Sequence, residues 1–446
     1  MNEIRKSGKQ LERATFRTSR LLDFCSEKEL IAQTGHRPEA WPLVVLKELV
    51  DNALDACEEA RIAPEITVKV DNTGITVSDN GPGIPAETVG DVLDFSIRVS
   101  SREAYVAPDR GAQGNALKTI VAMSFVLDGE SGRVEVATAG GRHRITFGVD
   151  AIRQEPVVAH EHMPEEHVKI GTEIVVKWPD SACSILTNAK DRFLQFASDY
   201  SWLNPHLTLH LDWFGEAETV DATDVGWAKW KPSDPTCPHW YGHQHLERLI
   251  AGYVGHDEDN GRDRTVREFV SEFRGLSSTR KQKAVIETTG LARATLSSLC
   301  VEGRVDDDLV KRLLQAMKGH SKPVKPQALG IIGQEHFRRR FEGAGCEMES
   351  FQYKKVPGTT DGVPWVIETA FGWCPQAQSR RLVTGVNWSP GIINPFRELG
   401  EFGASLDTIL SQQRADRDEP VVLVLHMACP RVEYTDRGKS AVVVKG

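Results

Sequence analysis

The clearest pattern in the chain lies at residues 43–57, LVVLKELVDNALDAC. Leu46, Leu49, Val50, Ala53 and Leu54 recur at helical spacing and form one apolar face. Glu48, Asn52 and Asp55 fall at i, i+4 and i+7 and line an adjacent face. The pattern predicts a helix from about Trp41 to Ala60 that lies against a core. The period then changes to two. EITVKVDNTGITVSDN alternates over 66–70 and 75–79 around Asp71-Asn72-Thr73-Gly74, which predicts an antiparallel hairpin. A helix at 114–124, strands at 132–139, 142–149 and 170–177, a helix at 187–200 and a strand in LNPHLTLHLDW follow. Together they predict an α/β fold, an α+β sandwich with helices over one face of a mixed sheet.

Beyond residue 225 the pattern changes twice. Residues 226–260 read as loop, with a helix beginning near His245. Cys237, His239, His243 and His245 invite a zinc reading, but C-x-H-x₃-H-x-H matches no common zinc spacing and no second Cys pair is near. Residues 262–325 read as short helices broken at Gly275, Gly290 and Gly303. From 326 onward the pattern returns to α/β, with apolar stretches at 365–371, 380–388 and 420–428 and a helix at 397–415 between the last two.

Composition narrows the class. With 446 residues, 40% hydrophobic and 26% charged, the chain reads as a soluble protein of several domains. No apolar run is long enough for a membrane span, and the N-terminus has no apolar core of a signal peptide. The eight cysteines show no paired spacing, so reduced thiols and a cytoplasmic location are expected. The net charge of −9 means that any nucleic-acid contact must be local. Residues 262–325 supply such a patch, with 14 Lys and Arg against 8 Asp and Glu. Arg274, Arg280, Lys281 and Lys283 are its candidate DNA contacts.

Three further motifs follow the 43–57 helix: SDNGPGI at 78–84, RGAQGNALK at 110–118 and the Gly-Thr pair at 171–172. The second is not a P-loop, because Leu117 precedes Lys118 where that motif needs Gly. Taken in this order, the four segments resemble the boxes of the GHKL ATPase superfamily, whose Bergerat fold binds ATP. The resemblance implies a role for each matching residue. Glu48 would be the general base that polarises the attacking water. Asn52 would ligate Mg²⁺, a hard ion that takes oxygen ligands. Asp79 would accept from the adenine amino group, with Gly81 and Gly83 letting the backbone approach the base. Ser100 and Ser101 would lie near the phosphates. Gly111, Gln113, Gly114, Asn115 and Lys118 would form or flank the phosphate lid. Thr172 would support Asp79 on the pocket floor. ATP and Mg²⁺ are the implied cofactors.

Over most of its length the chain resembles, more narrowly, the B subunit of type IIB DNA topoisomerases, the topoisomerase VI group. ELVDNALDACEEA (48–60), the arm FRTSRLLDF (16–24), CPHWYGHQHLERL, LGIIGQEHF, VPWVIETAFGW, NWSPGIINPF and LVLHMACPRVEYTDRGKS carry that resemblance. It implies a GHKL ATPase domain with an N-terminal arm at 1–225, a small helix-two-turns-helix domain at 226–325 and an α/β transducer domain at 326–446. It also implies an ATP-dependent homodimeric clamp on double-stranded DNA, nucleoid-associated, working with a separate DNA-cleaving A subunit. The chain departs from the family at three points. Ala116 stands where a third lid glycine is usual. No Lys occurs between Lys355 and Lys439, so the transducer's switch lysine has no counterpart, and Gln412 or Gln413 holds its place. The sequence ends at Gly446, where relatives continue into a long helix. Other readings stay open on the sequence: a DNA-associated ATPase switch without strand passage, in defence or plasmid biology, or a module that binds ATP without hydrolysing it. A kinase of the histidine-kinase branch would need a phosphoacceptor His on a dimerisation helix, and only 40 residues precede the first motif helix.

Overall fold

The computed structural model describes residues 26–86, 88–89, 105–110, 116–150, 152, 155–164, 166, 168, 170–397, 405–435 and 441–443. The arm at 16–24 lies outside them. The first element is α1 (Glu27–Thr34), capped by the Ser26 hydroxyl, which accepts from the Glu29 amide. Next comes α2 (Trp41–Glu59), the motif helix, with Pro42 in its first turn where a missing N–H is tolerated. Its apolar face is fully buried, as the sequence pattern required.

Helix α2 lies on an eight-stranded sheet. The strands are β1 (Glu65–Asp71), β2 (Gly74–Asp79), β3 (Gly132–Thr138), β4 (Gly141–Asp150), β5 (Glu155–Met163), β6 (Glu173–Lys177), β7 (Thr208–Trp213) and β8 (Glu216–Val220). Their spatial order is β5-β4-β3-β6-β2-β1-β7-β8. The sheet is mixed, because β1 and β7 pair in parallel and its other neighbours pair antiparallel. The hairpin β1–β2 closes at Asp71↔Gly74, and the Asp71 carboxylate accepts from the Thr73 amide inside the turn. Helices α3 (Ala116–Asp128), α4 (Cys183–Asn188) and α5 (Lys190–Leu203) complete this layer. Leu46, Leu54, Ile66, Val68, Ile120, Val134, Phe193 and Leu209 meet in one core.

The remaining chain builds a second core. Helices α6 (His243–Asp259), α7 (Val266–Ser271), α8 (Thr279–Thr289) and α9 (Asp307–His320) surround the two-residue strands β9 (Cys300–Val301) and β10 (Arg304–Val305). Thr265 and Glu268 form a capping box at α7, and the Asp306 side chain caps α9. Helix α10 (Gln334–Gly343) leads into a five-stranded sheet of β11 (Glu347–Thr360), β12 (Val363–Trp373), β13 (Arg381–Val386), β14 (Ser389–Pro390) and β15 (Val421–Ala428), ordered β11-β12-β15-β13-β14. Helix α11 (Leu406–Gln412), capped by Ser405, starts later and ends earlier than the helix expected at 397–415. Phe269, Leu313, Phe337, Val366 and Val424 share this second core, so the helical module and the five-stranded sheet pack as one body.

One expectation is corrected here. Cys346 and Cys374 are bonded through their sulfurs, with Cα atoms 4.0 Å apart. They flank the Glu347↔Trp373 pair, so the β11–β12 register brings together two thiols 28 residues apart. Sequence spacing alone does not reveal that register.

Candidate nucleotide site

Three of the four sequence motifs meet at the end of β2. Asp79 is the last residue of that strand, and one carboxylate oxygen, Oδ1, is already engaged. It accepts from the Gly81 amide at 2.8 Å and from the Thr172 amide at 3.3 Å. The Asp79 amide in turn donates to the Thr172 carbonyl at 2.9 Å. Thr172 and Asp79 are thus joined through the Thr172 backbone. The fixed Oδ1 holds the carboxylate plane and leaves Oδ2 to a ligand. Burial raises the Asp79 carboxyl above its ordinary value, against the pull of the two amides.

The glycines are required by close approach. A Cβ on Gly171 would sit 1.7 Å from the Asp79 carbonyl oxygen, and its φ is +77°. A Cβ on Gly81 would lie 2.9 Å from Asp79 Oδ1 and 3.3 Å from Cys57 Sγ, against the end of α2. Gly83 has φ +81° and faces the Gly171 carbonyl. Asn80 fastens this turn to the layer beneath, donating to the Ala63 carbonyl and accepting from the Glu65 amide. A planar base can lie here against backbone, with one acceptor fixed in front of it.

Helix α2 supplies the polar edge. Asn52 is exposed and Glu48, one turn earlier on the same face, is half-buried. An amide oxygen and a carboxylate are hard oxygen donors of the kind Mg²⁺ accepts. Lys118 lies buried in the first turn of α3. Ser100, Ser101, Gly111, Gln113, Gly114 and Asn115 lie outside the described residues, as does Lys439. Gln412 and Gln413 are exposed at the end of α11.

Asp55, beside Glu48 and Asn52 on the helix, turns into a buried cluster with Asp51 and Glu58 along the adjoining flank of α2. Arg110 is fully buried and donates to Asp55 at 2.8 Å, to both Glu58 oxygens at 2.8 and 2.7 Å, and to Asn204 Oδ1 at 2.6 Å. Lys229 Nζ reaches Glu58 at 2.8 Å, and His206 Nε2 donates to Glu58 at 3.0 Å. Burial acts to raise the Glu58 carboxyl, but Arg110 and then Lys229 outweigh it and hold Glu58 well below the usual range. Burial also lowers the His206 imidazole, against the pull of Glu58. Asp51 accepts from Tyr200 at 2.9 Å and from Lys47 at 2.7 Å. Asp51, Asp55 and Glu58 recur at i, i+4 and i+7, and that spacing on a buried helix is the signal that demanded cations.

The charged candidates on α8 are also placed. Arg280 and Lys283 are exposed in its first turns, and Lys283 pairs with Glu287 at 3.6 Å. Lys281 donates to the Gly275 carbonyl at 2.7 Å, and the Arg274 guanidinium lies 4.8 Å over the Trp230 ring.

Residues 39–182 match the family described as histidine kinase-, DNA gyrase B- and HSP90-like ATPase. The match takes in α2, the Asp79 turn and the Gly171-Thr172 support. These residues, about a third of the chain, are similar to the GHKL ATPase superfamily. ATP is the ligand this superfamily binds, and the fixed Asp79 carboxylate and its glycine cradle suit an adenine. Beyond the ATPase domain the chain is similar to curated proteins named as the B subunit of type 2 DNA topoisomerase 6. The one from Archaeoglobus fulgidus is 23% identical over 418 residues, covering 90% of this chain and 66% of that protein. The one from Metallosphaera sedula is 23% identical over 428 residues, covering 89% of this chain and 74% of that protein. The one from Natronomonas pharaonis is 31% identical over 182 residues, covering 39% of this chain and 22% of that protein. The chain thus spans about two thirds of the Archaeoglobus protein's length. No helix among the described residues is long and apolar enough to cross a membrane.

Proposed function

We propose that the chain is the ATP-binding component of a topoisomerase-VI-like DNA machine, an ATPase that dimerises around double-stranded DNA and works with a separate DNA-cleaving A subunit. The supporting observation is the joint one of GHKL site geometry and likeness to the topoisomerase 6 B subunit over nine tenths of the chain. In this reading residues 1–225 form the ATPase domain with its arm, 226–325 the helix-two-turns-helix-like module and 326–446 the transducer. The protein acts in the cytoplasm at the nucleoid.

The residues divide the work. Asp79, held by Gly81 and Thr172, accepts from the adenine amino group through its remaining oxygen. Asn52 holds Mg²⁺, which when bound neutralises the phosphate charge. Glu48, half-buried on α2, takes a proton from the attacking water. Gly111, Gln113, Gly114, Asn115, Ser100, Ser101 and Lys118 surround the phosphates. Arg274, Arg280, Lys281 and Lys283 meet the DNA backbone as point charges.

The test is Glu48→Ala. Loss of a general base costs about 10²- to 10⁴-fold in turnover, while nucleotide affinity is retained. A variant that hydrolyses ATP at the wild-type rate, or wild-type protein that binds no ATP, would contradict the proposal.

A further inference from the structure

The tight turn between β13 and β14 is buried against α2. Asn387 and Trp388 both have positive φ, +51° and +64°, and the flanking Val386 and Ser389 pair. Two such residues make the turn that matches strand twist, and Asn is among the residues that tolerate it. Its three residues hold three different parts of the molecule.

Asn387 Nδ2 donates to the carbonyl of Asp109, the residue before Arg110, at 3.1 Å. The same side chain clasps Cys429 just past the end of β15, donating to its carbonyl at 3.0 Å and accepting from its amide at 2.8 Å. The Trp388 carbonyl accepts from Asn204 Nδ2 at 2.9 Å, and Asn204 Oδ1 accepts from Arg110. The Trp388 amide donates to His426 Nε2 at 3.1 Å, which puts the neutral ring's proton on Nδ1, facing Glu368 at 3.7 Å. Ser389 Oγ donates to Asp51 Oδ2 at 2.8 Å, on α2 itself. Asp51, Asp55 and Glu58 thus attach one flank of α2 to this turn and to Arg110, and Glu48 and Asn52 stand on the same helix beside that flank.

We infer that the Asn387-Trp388-Ser389 turn, tied to Arg110 through Asn387 and Asn204, couples the occupancy of the nucleotide site to the five-stranded C-terminal sheet. Arg110 and Asn387 are positioning residues in this account. Arg110 is held by buried carboxylates, and Asn387 by backbone groups. Small shifts of α2 reach β15 through fully buried, hydrogen-bonded groups with no slack for rearrangement. The inference rests on the nucleotide-site reading above.

The test is amide hydrogen exchange on the full chain, with and without Mg²⁺ and a non-hydrolysable ATP analogue. In the wild type the analogue slows exchange in residues 383–389 and 421–428 by at least about fivefold, the lower end of typical site-to-site coupling. Asn387→Gly keeps the positive φ but removes the clasp. It binds the analogue with unchanged affinity, the slowing in 421–428 is lost, and hydrolysis changes in kcat and not in KM. Ser389→Ala, which removes one hydroxyl, shows the same loss in smaller measure and serves if the first variant does not fold. Full retention of the slowing in both variants would overturn the inference. So would analogue binding by the wild type with no slowing in these strands. A wild type that binds no analogue would overturn the nucleotide-site reading instead, and this inference with it.

Discussion

Replacing Arg110 with Met removes the cation around which the buried cluster is built. The side chains are similar in length, so the change is mainly electrostatic. Four hydrogen bonds are lost, two of them to Glu58 and one each to Asp55 and Asn204. Glu58 retains Lys229 and His206, whereas Asp55 loses a buried charge partner. Removing one member of a buried ion pair costs about 3–5 kcal/mol, less than the sum of the four bonds, because the lost partner's own desolvation is relieved. The pH dependence carries a sign. In the wild type the Glu58 carboxyl is depressed, so its contribution to stability is complete above the unfolded value and is lost as pH falls through the lower folded one. Without Arg110 that depression is weaker, because only Lys229 and His206 still oppose burial. The variant's deficit is then greatest near neutral pH and narrows as pH falls through the carboxylate range. Urea unfolding followed by tryptophan fluorescence reads this directly. Trp227 stacks beside His206, and Trp388 lies beneath Lys229. A deficit below ~1 kcal/mol, the scale of an exposed ion pair, or one that does not change with pH, would refute the argument.

Two more predictions concern binding. Asp79→Ala removes a charge-assisted acceptor worth about 1.5–3 kcal/mol, so calorimetric titration with ADP should show affinity about 10- to 150-fold weaker. Unchanged affinity would remove Asp79 from adenine recognition. Replacing Arg280, Lys281 and Lys283 together with Ala should lower the slope of log affinity for duplex DNA against log salt by about two to three. An unchanged slope would place the DNA contact elsewhere.

The parts of the site that were legible in the sequence are those where neighbours in the chain act together. The apolar stripe of α2, the β1–β2 hairpin and the Asp79-to-Gly83 turn are all local, and each stands where its pattern put it. Thr172 meets Asp79 through its amide. What escaped depends on partners far apart in sequence. Asp55 was grouped with Glu48 and Asn52 because i+7 spacing returns nearly to the same face. Its true companions are Asp51 and Glu58, and their cation, Arg110, lies in another motif. Among the strands not anticipated, β5, β8 and β11 are edges of their sheets. An edge strand is half exposed, so its hydrophobic alternation is weak, and in β11 it is further broken by Pro357 and Gly358. The Cys346–Cys374 bond follows from that same unseen register.

The central claim is that ATP drives this chain to dimerise. Mass by light scattering, with Mg²⁺ and a non-hydrolysable ATP analogue against the nucleotide-free protein, tests it most directly. The account predicts a shift from 49.5 kDa to twice that mass when the analogue is bound. A mass that stays at the monomer value with the site saturated would contradict it.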